Sequence, residues 1–115
     1  MSKGQILIID DNPKNIQVAA SILKQAGYDV EFALDGLSGM AWLESSPFDV
    51  ILLDVMMPGE DGFEICRKIK ANPRFELIPV IFVTAKTDRA SVVQGFESGG
   101  EDYITKPYDS KPDRA

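Results

Sequence analysis

Four short runs in this chain end on groups that can bind or move a phosphoryl group. Val50 to Leu53 stops on Asp54, and Val55-Met56-Met57-Pro58-Gly59 then breaks the chain. Ile6 to Ile9 stops on the pair Asp10-Asp11. Val80 to Val83 stops on Thr84, and Asp102 to Thr105 is followed by Lys106-Pro107. Two carboxylates about 4 Å apart repel by roughly 4 kcal/mol at an effective dielectric of about 20. Three together are therefore unfavourable unless a cation joins them. Oxygen ligands select a hard divalent ion, and so few carboxylates leave room for waters, which suits Mg²⁺ better than Ca²⁺. A lysine nearby offsets more of the charge. With metal and Lys106 neutralising the equatorial oxygens, a carboxylate can attack phosphorus in line and become an acyl phosphate. The Thr84 hydroxyl can then hydrogen-bond the product.

Each group alone has a plainer reading. Asp10-Asp11 could simply favour a helix N-terminus, Asp54 could cap a turn, and Lys106 could be a solvated surface residue. The chemical reading needs all of them at one edge of one sheet. The elements supply that arrangement. A β-branched and leucine run bounded by breakers reads as a strand buried on both faces. Such strands are expected at Gln5 to Ile9, Val50 to Leu53 and Pro79 to Val83, with a further strand over Tyr28 to Ala33, at an edge, and a short one over Asp102 to Thr105. Between them lie helical stripes. Asn12-Pro13 supplies an N-cap and a first helical residue, Ile16, Ala19, Ala20 and Leu23 form the inner face, and Gly27 is the stop. Leu37, Met40, Ala41 and Leu43 are expected inward on the second helix. Gly62, Ile65, Cys66 and Ile69 are expected inward on the third, which Asp61 and Glu64 open at capping-box spacing. Val92, Val93 and Phe96 are expected inward on the fourth. Strands alternating with helices imply a doubly wound α/β domain built on a parallel sheet. In such a sheet all C-terminal strand ends share one edge, where ligands bind.

Composition narrows the function. The chain has 115 residues, enough for one core, with 44% hydrophobic and 26% charged residues. A net charge of -6 without a basic cluster excludes a nucleic-acid-binding surface on this segment. There is no histidine, so a Ser-His triad or a phosphohistidine cannot be built from this chain. The one cysteine, Cys66, excludes an internal disulfide and fits a cytoplasmic setting. It is most simply a small core residue. The run Ile6 to Ile9 is too short for a signal peptide or a membrane span.

These motifs, in this order, resemble the receiver domains of two-component response regulators. The resemblance rests on Asp10-Asp11, on Asp54 in Asp54-Val55-Met56-Met57-Pro58-Gly59, on Thr84-Ala85 and on Lys106-Pro107, and it covers the chain up to Pro107. It implies a five-stranded sheet of order 2-1-3-4-5, like flavodoxin and the chemotaxis receivers. It implies that Asp54 is the phosphoacceptor and takes the group from a histidine kinase or histidine phosphotransfer protein. It implies Mg²⁺, with Mn²⁺ able to substitute, held by Asp11, Asp54 and the Met56 backbone carbonyl, with Asp10 acting through a metal-bound water. Lys106 would pair with the phosphoryl oxygens, and Thr84 would move toward them while Tyr103 turns inward. A cis Lys106-Pro107 bond is expected on the same ground. Separately, Lys86, two residues after Thr84, is expected to affect dephosphorylation by crowding the site. Such a domain signals to an output domain or partner protein and catalyses only its own phosphorylation and dephosphorylation.

The chain departs from the family at its end. Residues 1–107 make the domain, and 108–115 read as a frayed tail or the truncated start of the family's last helix. An uncovered sheet face there predicts lower stability or self-association through apolar surface. Two rivals remain. A haloacid-dehalogenase-like phosphatase needs a second Asp two residues after the nucleophile, and position 56 is Met. A receiver-like interaction module that is never phosphorylated would keep the fold without using the site.

Overall fold

The computed structural model describes residues 2–84 and 89–105. Lys86, Lys106, Pro107 and the 108–115 tail, with the cis bond expected at Lys106-Pro107, lie outside the described residues. The chain order is β1 (Gln5–Ile9), α1 (Pro13–Gln25), β2 (Asp29–Ala33), α2 (Gly36–Ser45), β3 (Val50–Leu53), β4 (Met56–Met57), β5 (Glu60–Asp61), α3 (Gly62–Ala71), β6 (Val80–Thr84), α4 (Arg89–Glu97) and β7 (Asp102–Thr105). Five strands form one parallel sheet in the order β2-β1-β3-β6-β7, which is the expected 2-1-3-4-5 order of the sheet strands, with β2 at an edge. The tiny antiparallel pair β4-β5, turned by Pro58-Gly59, went unpredicted. Gly59 adopts φ 73°, the left-handed region that this turn requires of it.

Helix ends follow from local chemistry. The Asn12 side chain accepts from the amides of Lys14 and Asn15, and Pro13 fills the first helical position. Asp35 caps α2 by accepting from Ser38 N–H at 2.7 Å. Asp61 caps α3 through Phe63 N–H at 2.9 Å, while Glu64 turns forward to pair with Arg67 at 2.9 Å. Only the first half of the expected capping box therefore forms.

The sheet divides two cores. One face carries Ile6 and Ile8 beneath Ile16 and Ala19 of α1. The other carries Leu7, Ile9, Leu53 and Phe82 with the inner faces of α2 and α3. Cys66, Ile65 and Ile69 are buried there as expected. On the α1 face, Val50, Leu52 and Ile81 are half-buried and Ile104 is exposed, and among the described residues no helix lies over β6 and β7 on that side.

Two helix faces differ from expectation for one reason. Leu37 is 82% exposed and Ala41 is exposed, while Gly36, Gly39 and Leu43 are buried. A Cβ on Gly39 would lie 2.5 Å from Ile9 Cδ1. The glycines let α2 sit directly on β1, and that rotates Leu37 outward. Likewise Val93 and Phe96 are exposed, and α4 buries Ser91 and Gly95. A Cβ on Gly95 would meet Tyr103 at 3.0 Å and Phe82 at 3.2 Å. Close backbone approach, rather than the largest side chains, sets both contact faces.

Candidate functional site

The β1, β3 and β6 C-terminal ends lie side by side. Ile9 is in register with Leu53, and Leu53 with Phe82. Asp10 follows Ile9 and donates its amide to Ala33 C=O at 3.0 Å, while Asp54 follows Leu53 and donates its amide to Ile9 C=O at 3.0 Å. The ladders thus run to the last residue and fix both carboxylates. Asp10 and Asp54 are buried, and Asp11 is exposed at the rim. One carboxylate oxygen from each of Asp10, Asp11 and Asp54 lies within 4.8 Å of the other two. Two buried carboxylates at that separation repel by roughly 3 kcal/mol at an effective dielectric of about 20. The geometry favours a cation between them.

Backbone groups orient the two buried carboxylates. Asp10 Oδ1 accepts from Asn12 N–H at 2.9 Å, and Asp54 Oδ1 accepts from Met56 N–H at 3.1 Å. Met56 also has a defined carbonyl direction. Val55 C=O accepts from Gly62 N–H at 3.1 Å, so Met56, opposite Asp61, occupies a non-hydrogen-bonded position of the β4-β5 ladder. Its N–H and C=O therefore face away from β5, on the side where the N–H meets Asp54. The Met56 side chain is exposed, whereas Met57 is buried and pins the hairpin to the core.

Thr84 is fully buried at the end of β6, one strand over from Asp54. Tyr103 is half-buried, its ring centroid 6.0 Å from that of Phe82 and its edge against Gly95. It already packs on the sheet rather than projecting into solvent. Of the residues singled out from sequence, the structure brings together Asp10, Asp11, Asp54 and the Met56 backbone, and sets Thr84 beside them. Lys106 lies outside the described residues. Sequence reasoning missed Glu60, whose carboxylate bonds the Gly36 amide, and the tight seat of Gly62. A Cβ on Gly62 would fall 2.4 Å from the Asp54 carbonyl oxygen. The glycine after a capping Asp was visible, but its backbone neighbour was not.

Comparison with known proteins points to one family. The family profile described as the response regulator receiver domain matches residues 6–112. Response regulator PleD of Caulobacter vibrioides is 44% identical over 106 residues, which is 92% of this chain and 23% of that protein. The curated relatives matched are longer, and this chain spans between 23% and 47% of their lengths. The N-terminal domain of a response regulator receiver protein from Methanoculleus marisnigri JR1 superposes with a TM-score of 0.85 at 36% identity, covering 93% of this chain and 87% of that one. The Mn²⁺-bound form of response regulator Rcp1 superposes with a TM-score of 0.82 at 30% identity, covering 92% and 83%. A parallel sheet of this order, an acidic cluster at its C-terminal edge and a profile match over nearly the whole chain lead to one conclusion: the chain belongs to the response regulator receiver domains, the phosphorylation-dependent switches of two-component signalling.

Proposed function

We propose that Asp54 is the phosphoacceptor and that Asp10, Asp11, Asp54 and the Met56 carbonyl form a Mg²⁺ site that Mn²⁺ can also fill. The observation that carries this reading is the meeting of three carboxylate oxygens within 4.8 Å. Ligands about 2.1 Å from Mg²⁺ in an octahedron stand about 3 to 4 Å apart, so the donor set fits with a small inward adjustment. The Mn²⁺-bound relative accords with it. Bound there, the cation supplies charge neutralisation on the phosphoryl oxygens.

The chain's own groups do the rest. An Asp54 carboxylate oxygen attacks the phosphorus of a phosphohistidine donor. A P–O bond forms, the P–N bond breaks, and the departing imidazole nitrogen takes a proton from solvent. The bond from Met56 N–H holds Asp54 Oδ1 and so orients the carboxylate for attack. Lys106 pairs with the phosphoryl oxygens. Thr84 donates its hydroxyl to them, and Tyr103 follows by closing further onto Phe82, so the change reaches α4 and β7. The donor is a histidine kinase or a histidine phosphotransfer protein, and the readout is an output domain or a partner protein. The domain acts on itself alone, without an external substrate. The domain occupies residues 1–107, in a cytoplasmic setting where buried Cys66 stays a thiol.

Incubation with acetyl phosphate and Mg²⁺ followed by intact mass measurement tests this. The wild type gains one phosphoryl group, and neither Asp54→Asn nor metal-free protein gains it. No gain by the wild type would favour a receiver-like interaction module that is never phosphorylated.

A further inference from the structure

Glu60 makes an unusual contact beside the site. Both of its carboxylate oxygens accept from the Gly36 amide, at 2.9 and 3.0 Å. Gly36 is the first residue of α2, so the carboxylate meets the positive end of a helix dipole in a charge-assisted bond. The fit is close: a Cβ on Gly36 would stand 2.7 Å from Glu60 Oε2 and 2.9 Å from Ile65 Cδ1. Glu60 is half-buried and pairs through its backbone with Met57 across the hairpin. The adjacent residue, Met56, donates its amide to Asp54 Oδ1. A continuous path therefore runs from the start of α2, through Glu60 and the hairpin, to the acidic cluster.

The turn itself is open to solvent. Met56 is 55% exposed, and a Cβ on Gly59 would meet nothing within 4 Å. Buried Met57, opposite Glu60 beside the turn, and the seat of Gly62 hold the hairpin down onto the core. Glu60 fixes its lateral position against α2. We infer that Glu60 is a positioning residue: it holds the β4-β5 hairpin against α2 and thereby presets the Met56 carbonyl for the divalent cation. This rests on the Mg²⁺ site proposed above.

Titration calorimetry of Mg²⁺ into the whole chain is the test, with Glu60→Ala, Glu60→Gln and Glu101→Gln beside the wild type. Groups that orient a metal's ligands contribute about tenfold or more to affinity. Glu60→Ala should weaken Mg²⁺ binding about tenfold. Glu60→Gln keeps one accepting oxygen and should fall between Glu60→Ala and wild type. In metal-free protein, both Glu60 variants should speed hydrogen exchange of the Gly36 amide. Glu101 bonds Val80 N–H at 2.7 Å and Lys70 Nζ at 3.0 Å, in a tie remote from the acidic cluster. Glu101→Gln should lower the thermal midpoint yet leave Mg²⁺ affinity within about twofold of wild type. Wild-type affinity in Glu60→Ala, or an equal loss in Glu101→Gln, would overturn the inference. If Glu60→Ala does not fold, Glu60→Gln decides by the same criteria. Failure of the wild type to bind Mg²⁺ would remove the proposed site itself, and this inference with it, before any variant is compared.

Discussion

Gly62→Ala should damage stability and chemistry together. The added Cβ would lie 2.4 Å from the Asp54 carbonyl oxygen, 2.7 Å from Val55 Cα and 3.1 Å from the Asp54 carbonyl carbon. All three are backbone atoms, so no rotamer change relieves them. Reaching an ordinary contact distance requires a shift of about 1 Å. The helix side cannot retreat freely, because Phe63, Ile65 and Cys66 are buried. The shift therefore falls largely on the Asp54–Val55 peptide, and it strains the bond from Gly62 N–H to Val55 C=O. Overpacking at its upper end plus one weakened hydrogen bond costs about 3–4 kcal/mol. At roughly 4 °C per kcal/mol for a domain this size, the thermal midpoint should fall by about 12–16 °C. If Asp54 is the phosphoacceptor, as proposed, a displacement of about 1 Å there should slow phosphorylation by acetyl phosphate about 100-fold. Scanning calorimetry and intact mass against time measure the two effects. Gly59→Ala is the control. Its φ of 73° makes alanine strained, by about 1 kcal/mol, but no atom lies near the new methyl, so the phosphorylation rate should hold. A Gly62→Ala protein that melts within about 4 °C of wild type and phosphorylates normally would refute the close-approach argument.

Other consequences follow from the same geometry. Asp11→Asn, at the exposed rim, should weaken Mg²⁺ binding while leaving the fold intact, as calorimetry and circular dichroism would show; unchanged affinity would place the cation elsewhere. Burial pushes the Cys66 thiol above its ordinary value of 9.0, with Ser98 and Lys70 pulling the other way. The unfolded chain then ionises first, so this contribution to stability is present below 9.0 and fades as pH rises above it. Urea midpoints should fall more steeply with alkaline pH in wild type than in Cys66→Ala, and parallel slopes would contradict this. The Ser38 amide, and then the Ser38 side chain, hold Asp35 below its ordinary value of 3.8. Asp35→Ala should therefore lower stability at neutral pH, with the difference vanishing as pH falls below that value; a difference that persists in acid would rule out the cap. If the face bearing Val50, Leu52, Ile81 and Ile104 is left open, sedimentation should show self-association rising with concentration, and a monomer throughout would show the face covered.

The sheet and the acidic cluster are legible in the sequence because each depends on local pattern. A buried run that ends on a carboxylate marks a strand and its C-terminal edge at once, and parallel order places Asp10, Asp11, Asp54 and Thr84 together. The inner faces of α2 and α4 were not readable. Periodicity favours the largest apolar side chains, yet Gly39 on Ile9 and Gly95 on Tyr103 win because backbones can approach there. That preference depends on the partner strand and leaves no trace in a helix's own sequence. The β4-β5 hairpin was hidden for a related reason. It has two residues per strand, and its tie to α2, Glu60 to Gly36, spans 24 residues. A lone glutamate after Pro-Gly carries no period that could point to α2.

The central claim is that Asp54 itself receives the phosphoryl group. Borohydride reduces an aspartyl phosphate to homoserine and leaves free aspartate untouched. Wild-type protein treated with acetyl phosphate and Mg²⁺, reduced and mapped by peptide mass, should show homoserine at position 54 alone, and none when the metal is withheld. Homoserine at Asp10 or Asp11 instead, or a label that survives in Asp54→Asn, would contradict the account.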